Sequence, residues 1–172
     1  MILEEVNQHL ALSRKASVVD GMRKKASAKK TIDGSIVIDR PSDHVWKFMM
    51  TLSNAPKWMP EILELRQTSA GPLEVGAMLE RRVKRGTFAV RITEHEPNRA
   101  VTYEFTSGFV RGTTDSYRLE TVDGKTRVSD AVELKLGGFY RLLRPIFNTR
   151  LPKVVDERLC NLRRELESNS RL

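Results

Sequence analysis

The residues of this chain best placed for chemistry are polar groups caught on apolar faces. Asp130 shares its alternation with Val128, Val132 and Leu134, so on a strand it points where they do. A carboxyl turned inward requires a partner or a raised pKa. Tyr103 and Tyr117 lie in neighbouring alternating segments. A carboxyl with a phenol or arginine in hydrogen-bond reach is what proton transfer beside a carbonyl or hydroxyl needs. Asp130, Tyr103 and Tyr117 are therefore the candidate catalytic residues, with Asp130 as the acid. A buried ion pair with an arginine and an anchor for a ligand's polar end are equally open readings of Asp130. Arg150 and Arg158 stand near the apolar stripe of the last segment. Glu94 has the parity of Phe88, Val90 and Ile92, but at a strand end where the face opens to water.

Other chemistries find little support. His9, His44 and His95 are all expected at the surface, so no histidine metal site is assembled and no metal is expected. Cys160 is the single cysteine, which excludes an internal disulfide framework and points to a reducing cytosol. There is no GxSxG elbow, phosphate-cradling loop or dinucleotide fingerprint, and Gly137-Gly138 reads as a turn. No cofactor is implied.

The elements that must position these groups follow from periodicity. Ile32 to Ile38 is a β-branched strand ending at Asp39-Arg40-Pro41, and Pro41-Ser42-Asp43 starts a helix through Val45, Trp46, Phe48, Met49 and Leu52. Pro56 and Pro60 bracket one further helical turn. Strands are then expected over 62–67, 75–84, 88–92, 101–105, 110–120 and 126–136, with Asp123-Gly124 as a hairpin turn. Phe139 to Leu166 reads as a long amphipathic helix that Pro152 should kink or break, unless the true helix begins there.

With 172 residues, 40% hydrophobic and 30% charged, the chain is the size of one soluble domain. No apolar run approaches the ~18 residues of a membrane span. The net charge of +8 divides into +4 over residues 1–30, zero over 31–138 and +4 over 139–172. Basic ends around a neutral centre do not make a nucleic-acid face, so no specific nucleic-acid partner is expected. Residues 1–30 read as a basic lead-in, with Met22 as an alternative start and the run to Lys30 as a solvated segment able to make transient contact with a membrane surface. An acidic protein surface or the ribosome is a weaker alternative for the basic ends. With no export signal, the cytoplasm is the expected location. Residues 31–167 form the domain and 168–172 a tail; the oligomeric state is not legible.

A strand, two short helices, six antiparallel strands and a long terminal helix is the order of the helix-grip fold. With Ile38-Asp39-Arg40-Pro41 through Val45-Trp46, the Asn54–Pro60 turn, Gly71-Pro72-Leu73-Glu74-Val75-Gly76, Glu94-His95-Glu96-Pro97-Asn98-Arg99 and Gly124-Lys125-Thr126-Arg127-Val128, the chain resembles the SRPBCC (START-like) superfamily, in its polyketide cyclase/dehydrase-like branch. The resemblance implies an α+β fold whose curved sheet of about seven strands wraps a long C-terminal helix around a ligand cavity. It further implies a hydrophobic or amphipathic ligand, of the polyketide, lipid, sterol or quinone kind, carried or sequestered; the alternative is a cyclase or dehydratase using acid–base chemistry in the same cavity. A bent sheet closed by one helix favours such a cavity on physical grounds too. Trp58, Met49, Met59, Phe139 and Phe147 are the side chains expected to line it, each also readable as ordinary core, and Arg150 is the candidate for a polar end.

Overall fold

The structure, a computed structural model, describes residues 31–168. The lead-in, Met22 and the last four residues lie outside the described residues. Strand β1 (Thr31–Ile38) leads into helix α1 (Ser42–Met50), a 3₁₀ turn (Leu52–Asn54) and the one-turn helix α2 (Ala55–Trp58). Six strands follow: β2 (Ile62–Gln67), β3 (Met78–Val83), β4 (Gly86–Glu96), β5 (Ala100–Phe105), β6 (Thr114–Val122) and β7 (Lys125–Glu133). A second 3₁₀ turn (Gly138–Leu143) then enters the long helix α3 (Arg144–Ser168). All strand pairs are antiparallel in the order β1-β7-β6-β5-β4-β3-β2, so the two strands that flank the short helices form opposite edges of one curved sheet. This is the α+β helix-grip arrangement.

Strands β1 and β3 to β7 turn apolar residues into one core that the long helix α3 shares. Ile32 and Ile38, Leu79, Val90 and Ile92, Val101, Tyr117 and Leu119, and Val128 and Val132 are buried in the same cluster as Val155, Leu159, Leu162 and Leu166. Helix α3 lies so close to β1 at Gly34 that a Cβ there would stand 2.9 Å from Val155 Cγ1 and force a side chain to shift. The outward face instead pairs charges across strands: Arg66 with Glu80 (2.7 Å), Arg82 with Glu64 (2.9 Å) and Arg91 with Glu104 (2.8 Å). Such exposed pairs contribute ~0–1 kcal/mol each.

Several boundaries differ from those expected. The segment before β6 is a turn through Gly108 (φ 71°) and Gly112 (φ 82°), so that strand starts at Thr114 and not at Val110. Helix α3 runs through Pro152 as one element. Proline removes one N–H there, while every fully buried residue of the helix, from Val155 to Leu166, lies beyond it and anchors the helix to the sheet.

His95 also departs from its expected exposure. A bulge between Ile92 and Glu94 shifts the register of β4 on β5, so alternation resets. Glu94 turns outward to Thr102 (2.7 Å) and Arg118 (3.1 Å), and His95 turns inward, its ring 5.4 Å from that of Trp46.

Candidate functional site

The inward face carries a belt of polar groups across an otherwise apolar surface. Asp115 and Tyr117 come from β6, Asp130 from β7, Arg81 from β3, Tyr103 from β5, and Arg158 descends from α3. The ladder dictates the neighbours: Tyr117 is opposite Asp130, and Tyr103 is opposite Asp115. Arg158 is 5% exposed, Arg81 3%, Asp115 1% and Asp130 0%.

One guanidinium organises the cluster. Nη1 of Arg158 donates to Asp115 Oδ1 (3.2 Å), Asp130 Oδ2 (3.3 Å) and the Tyr117 hydroxyl (3.1 Å). Its Nε donates to Glu61 Oε1 (2.7 Å), on the loop between α2 and β2. Arg81 adds two donors to Asp115 Oδ2, each at 3.1 Å, and lays its guanidinium over the Phe105 ring at 5.1 Å. The two phenols reach methionine sulfur, Tyr117 toward Met59 (3.7 Å) and Tyr103 toward Met50 (3.8 Å).

Two guanidiniums thus face the buried carboxyls of Asp115 and Asp130 and the partly exposed one of Glu61, and the two buried carboxyls diverge. Burial pushes Asp115 upward, but Arg158 and Arg81 outweigh it and hold the group below the usual carboxylate range. Asp130 has the weaker share of Arg158. Burial, followed by repulsion from Asp115, raises it to about 8, so it carries a proton at neutral pH. Burial likewise raises both phenols, keeping Tyr103 and Tyr117 as neutral donors. The outcome is an anion and a carboxylic acid side by side, the arrangement in which one group can give a proton and the other hold charge.

Among the described residues, four buried atoms of the belt and its surroundings lack a hydrogen-bond partner: Asp130 Oδ1, Arg81 Nε, Glu61 Oε2 and Trp58 Nε1. Next to them begins a series of aromatic contacts. From Phe105 the rings continue to Phe88 (6.0 Å), then Phe109 (5.7 Å), and from Phe109 to Phe147 (6.3 Å) and Tyr140 (4.4 Å, stacked).

Of the residues singled out by sequence, the structure brings Asp130, Tyr103 and Tyr117 together, with Trp58 edge-on to Tyr117 at 5.3 Å. Met49 and Met59 are buried in the same core. Phe147 is half-buried against Phe109, whereas Phe139 and Arg150 are exposed and outside the belt. Arg158, considered beside Arg150, is the arginine that meets Asp130.

Sequence reasoning missed Asp115, Arg81 and Glu61. The parity argument used for Asp130 would have found the first two, since Asp115 alternates with Tyr117 and Leu119, and Arg81 with Leu79. Glu61 follows Pro60 outside any periodic segment and has no such signal. A separate open groove of about 450 Å³ lies beside α1, lined by Asp43, His44, Lys47, Phe48, Thr51 and Asn54, and includes none of the belt.

Residues 29–167 match the family model described as polyketide cyclase / dehydrase and lipid transport. Among solved structures, the Zhui aromatase/cyclase from a Streptomyces species is similar at TM-score 0.66 and 14% identity, covering 83% of this chain and 96% of that one. A protein from Thermus thermophilus matches at TM-score 0.66 and 14% identity, over 82% and 99% of the two chains. The Aha1 dimer of Colwellia psychrerythraea matches at TM-score 0.58 and 22% identity, over 82% and 98%. At these identities the likeness is one of fold. None of the curated proteins compared matches this sequence.

Proposed function

The chain belongs to the polyketide cyclase/dehydrase and lipid transport family, and on that premise we propose that it binds a hydrophobic or amphipathic small molecule between the sheet and α3, as a carrier or sequestering protein. The observation that carries this reading is the set of unpartnered buried atoms: Asp130 Oδ1, Arg81 Nε and Trp58 Nε1 border the hydrogen-bonded network around Arg158. A buried polar atom without a partner costs ~1–3 kcal/mol. A ligand whose polar end both donates and accepts would remove that cost, while its apolar body runs along Phe105, Phe88 and Phe109. An amphipathic molecule matches both surfaces, whereas a fully apolar one would leave the polar atoms unanswered.

The test is native mass spectrometry of the protein purified gently from its own cells. A retained small molecule, with a rise in melting temperature when it is added back, is the expected result. An empty protein that no polyketide, lipid, sterol or quinone stabilises would count against the reading.

A second reading, an enzyme of the cyclase or dehydratase kind, is favoured by one observation. Asp130 is pushed up to about 8 beside Asp115, which two guanidiniums hold as the anion, and that suits a general acid working near neutrality. On this reading Asp130→Asn abolishes turnover of the bound molecule and leaves folding intact; undiminished turnover in that variant would remove Asp130 as the acid.

A further inference from the structure

The stretch between Glu133 and Asp156 has a composition unlike the rest of the chain. Residues 134–155 include Lys135, Arg141, Arg144, Arg150 and Lys153 and no Asp or Glu. Within it the 3₁₀ turn and the first turn of α3 expose large apolar side chains: Phe139 (75%), Leu142 (69%), Ile146 (51%) and Tyr140 (43%). The neighbouring loop 106–113 adds Arg111, again without an acidic residue, and is tied to this stretch by the Gly137 N–H donating to the Phe109 carbonyl (2.9 Å) and by the Phe109–Tyr140 stack.

We propose that this face docks on an anionic phospholipid surface. Aromatic and aliphatic side chains projecting among arginines and lysines are the pattern of a segment lying in the headgroup region, its apolar groups below the phosphates and its cations level with them. The charge argues against the other occupants. A second copy packed about a two-fold axis would set one uniformly basic stretch against another. An acidic protein or nucleic acid would match the cations but leave Phe139, Leu142 and Ile146 in water. Anionic lipid answers both halves of the surface at once. The inference does not depend on the ligand reading, because the docking face is exposed whether or not the interior is occupied. If that reading also holds, docking brings the Phe109 end of the aromatic series to the membrane.

The experiment is co-sedimentation of the full chain with vesicles of phosphatidylcholine plus phosphatidylglycerol, and with phosphatidylcholine alone, at low and at physiological salt. Binding to the anionic vesicles that weakens as salt rises is expected. The variant Phe139→Ser/Leu142→Ser/Ile146→Ser should lose at least about tenfold in partitioning with no change in melting temperature, since these side chains are exposed. Arg144→Glu/Lys153→Glu should abolish the preference for anionic lipid. Absence of binding to anionic vesicles overturns the proposal. So does a triple-serine variant that binds like the wild type, which would assign the contact to another surface such as the basic lead-in. A dimer in sedimentation velocity that the triple-serine variant disrupts, without vesicle binding, would give the face to a second copy and overturn it as well.

Discussion

Asp115 and Asp130 accept hydrogen bonds from the same nitrogen, Arg158 Nη1, at 3.2 and 3.3 Å, yet their surroundings drive them in opposite directions, Asp115 toward the anion and Asp130 toward the acid. The asymmetry arises because Arg81 turns both of its terminal nitrogens to Asp115 and none to Asp130. Buried this deeply, two adjacent carboxylates sharing one guanidinium are unfavourable, and the less supported group is pushed toward the protonated form.

This asymmetry sets a pH dependence of stability. Asp130 rises from 3.8 to about 8 on folding, so between these values the folded chain holds a proton that the unfolded chain has released. Its stabilising contribution is complete below about pH 4 and is lost as pH climbs through about 8. Asp115 runs the other way, supporting the fold above its ordinary value and failing in acid. Asp130→Asn keeps the shape and removes the charge. Urea unfolding should show the variant gaining on the wild type from about pH 4 to about pH 8, by on the order of a few kcal/mol, with the difference level above that. Parallel stability profiles for the two proteins would mean that Asp130 titrates normally.

Removing the shared cation has the opposite sign. Arg158→Met fills the space but leaves Asp115 with Arg81 alone and deprives Glu61 and Asp130 of their partner. The expected loss is about 3–5 kcal/mol at neutral pH. Adding Asp115→Asn to that variant should cost far less than the same change made in the wild type, because the two residues act as a unit. A denaturant double-mutant cycle checks this, and simple additivity would show that the network is not coupled.

The contact between β1 and α3 is similarly exposed to test. Gly34→Ala places a methyl group 2.9 Å from Val155 Cγ1 and 3.3 Å from Leu159 Cδ1. Overpacking there should cost about 1–3 kcal/mol, and Val155→Ala in the same chain should return part of it. If Gly34→Ala were as stable as the wild type in thermal melts, the helix would not be seated as closely as the structure has it.

At the β6–β7 hairpin, Asp123 (φ 51°) and Gly124 (φ 75°) both occupy left-handed backbone, as a two-residue turn of this hand demands. Gly124→Ala should lower stability by about 1 kcal/mol, whereas Asp123→Asn should be tolerated. Equal unfolding midpoints for Gly124→Ala and the wild type would argue for a different turn.

Much of this architecture is legible along the chain because strand alternation and turn chemistry are local. Val128, Asp130 and Val132 share a face whatever lies opposite, and Asp123-Gly124 makes a hairpin from its own backbone preferences. The same rule reaches Asp115 and Arg81 once alternation is followed on β6 and β3. It breaks at the bulge after Ile92, where one added residue reverses the faces of Glu94 and His95 and no residue type announces it.

By itself, then, the sequence determined the order of elements, the inward face of each unbroken strand and the presence of carboxyl, phenol and guanidinium groups on those faces. Tertiary structure decided which of them meet. Arg158 and not Arg150 reaches Asp130, because Arg158 lies on the helix face shared by Val155, Leu159 and Leu162, which the sheet covers. The protonation of Asp130 likewise exists only in the assembled fold: it depends on burial and on a neighbouring anion brought from another strand, and an isolated segment has neither.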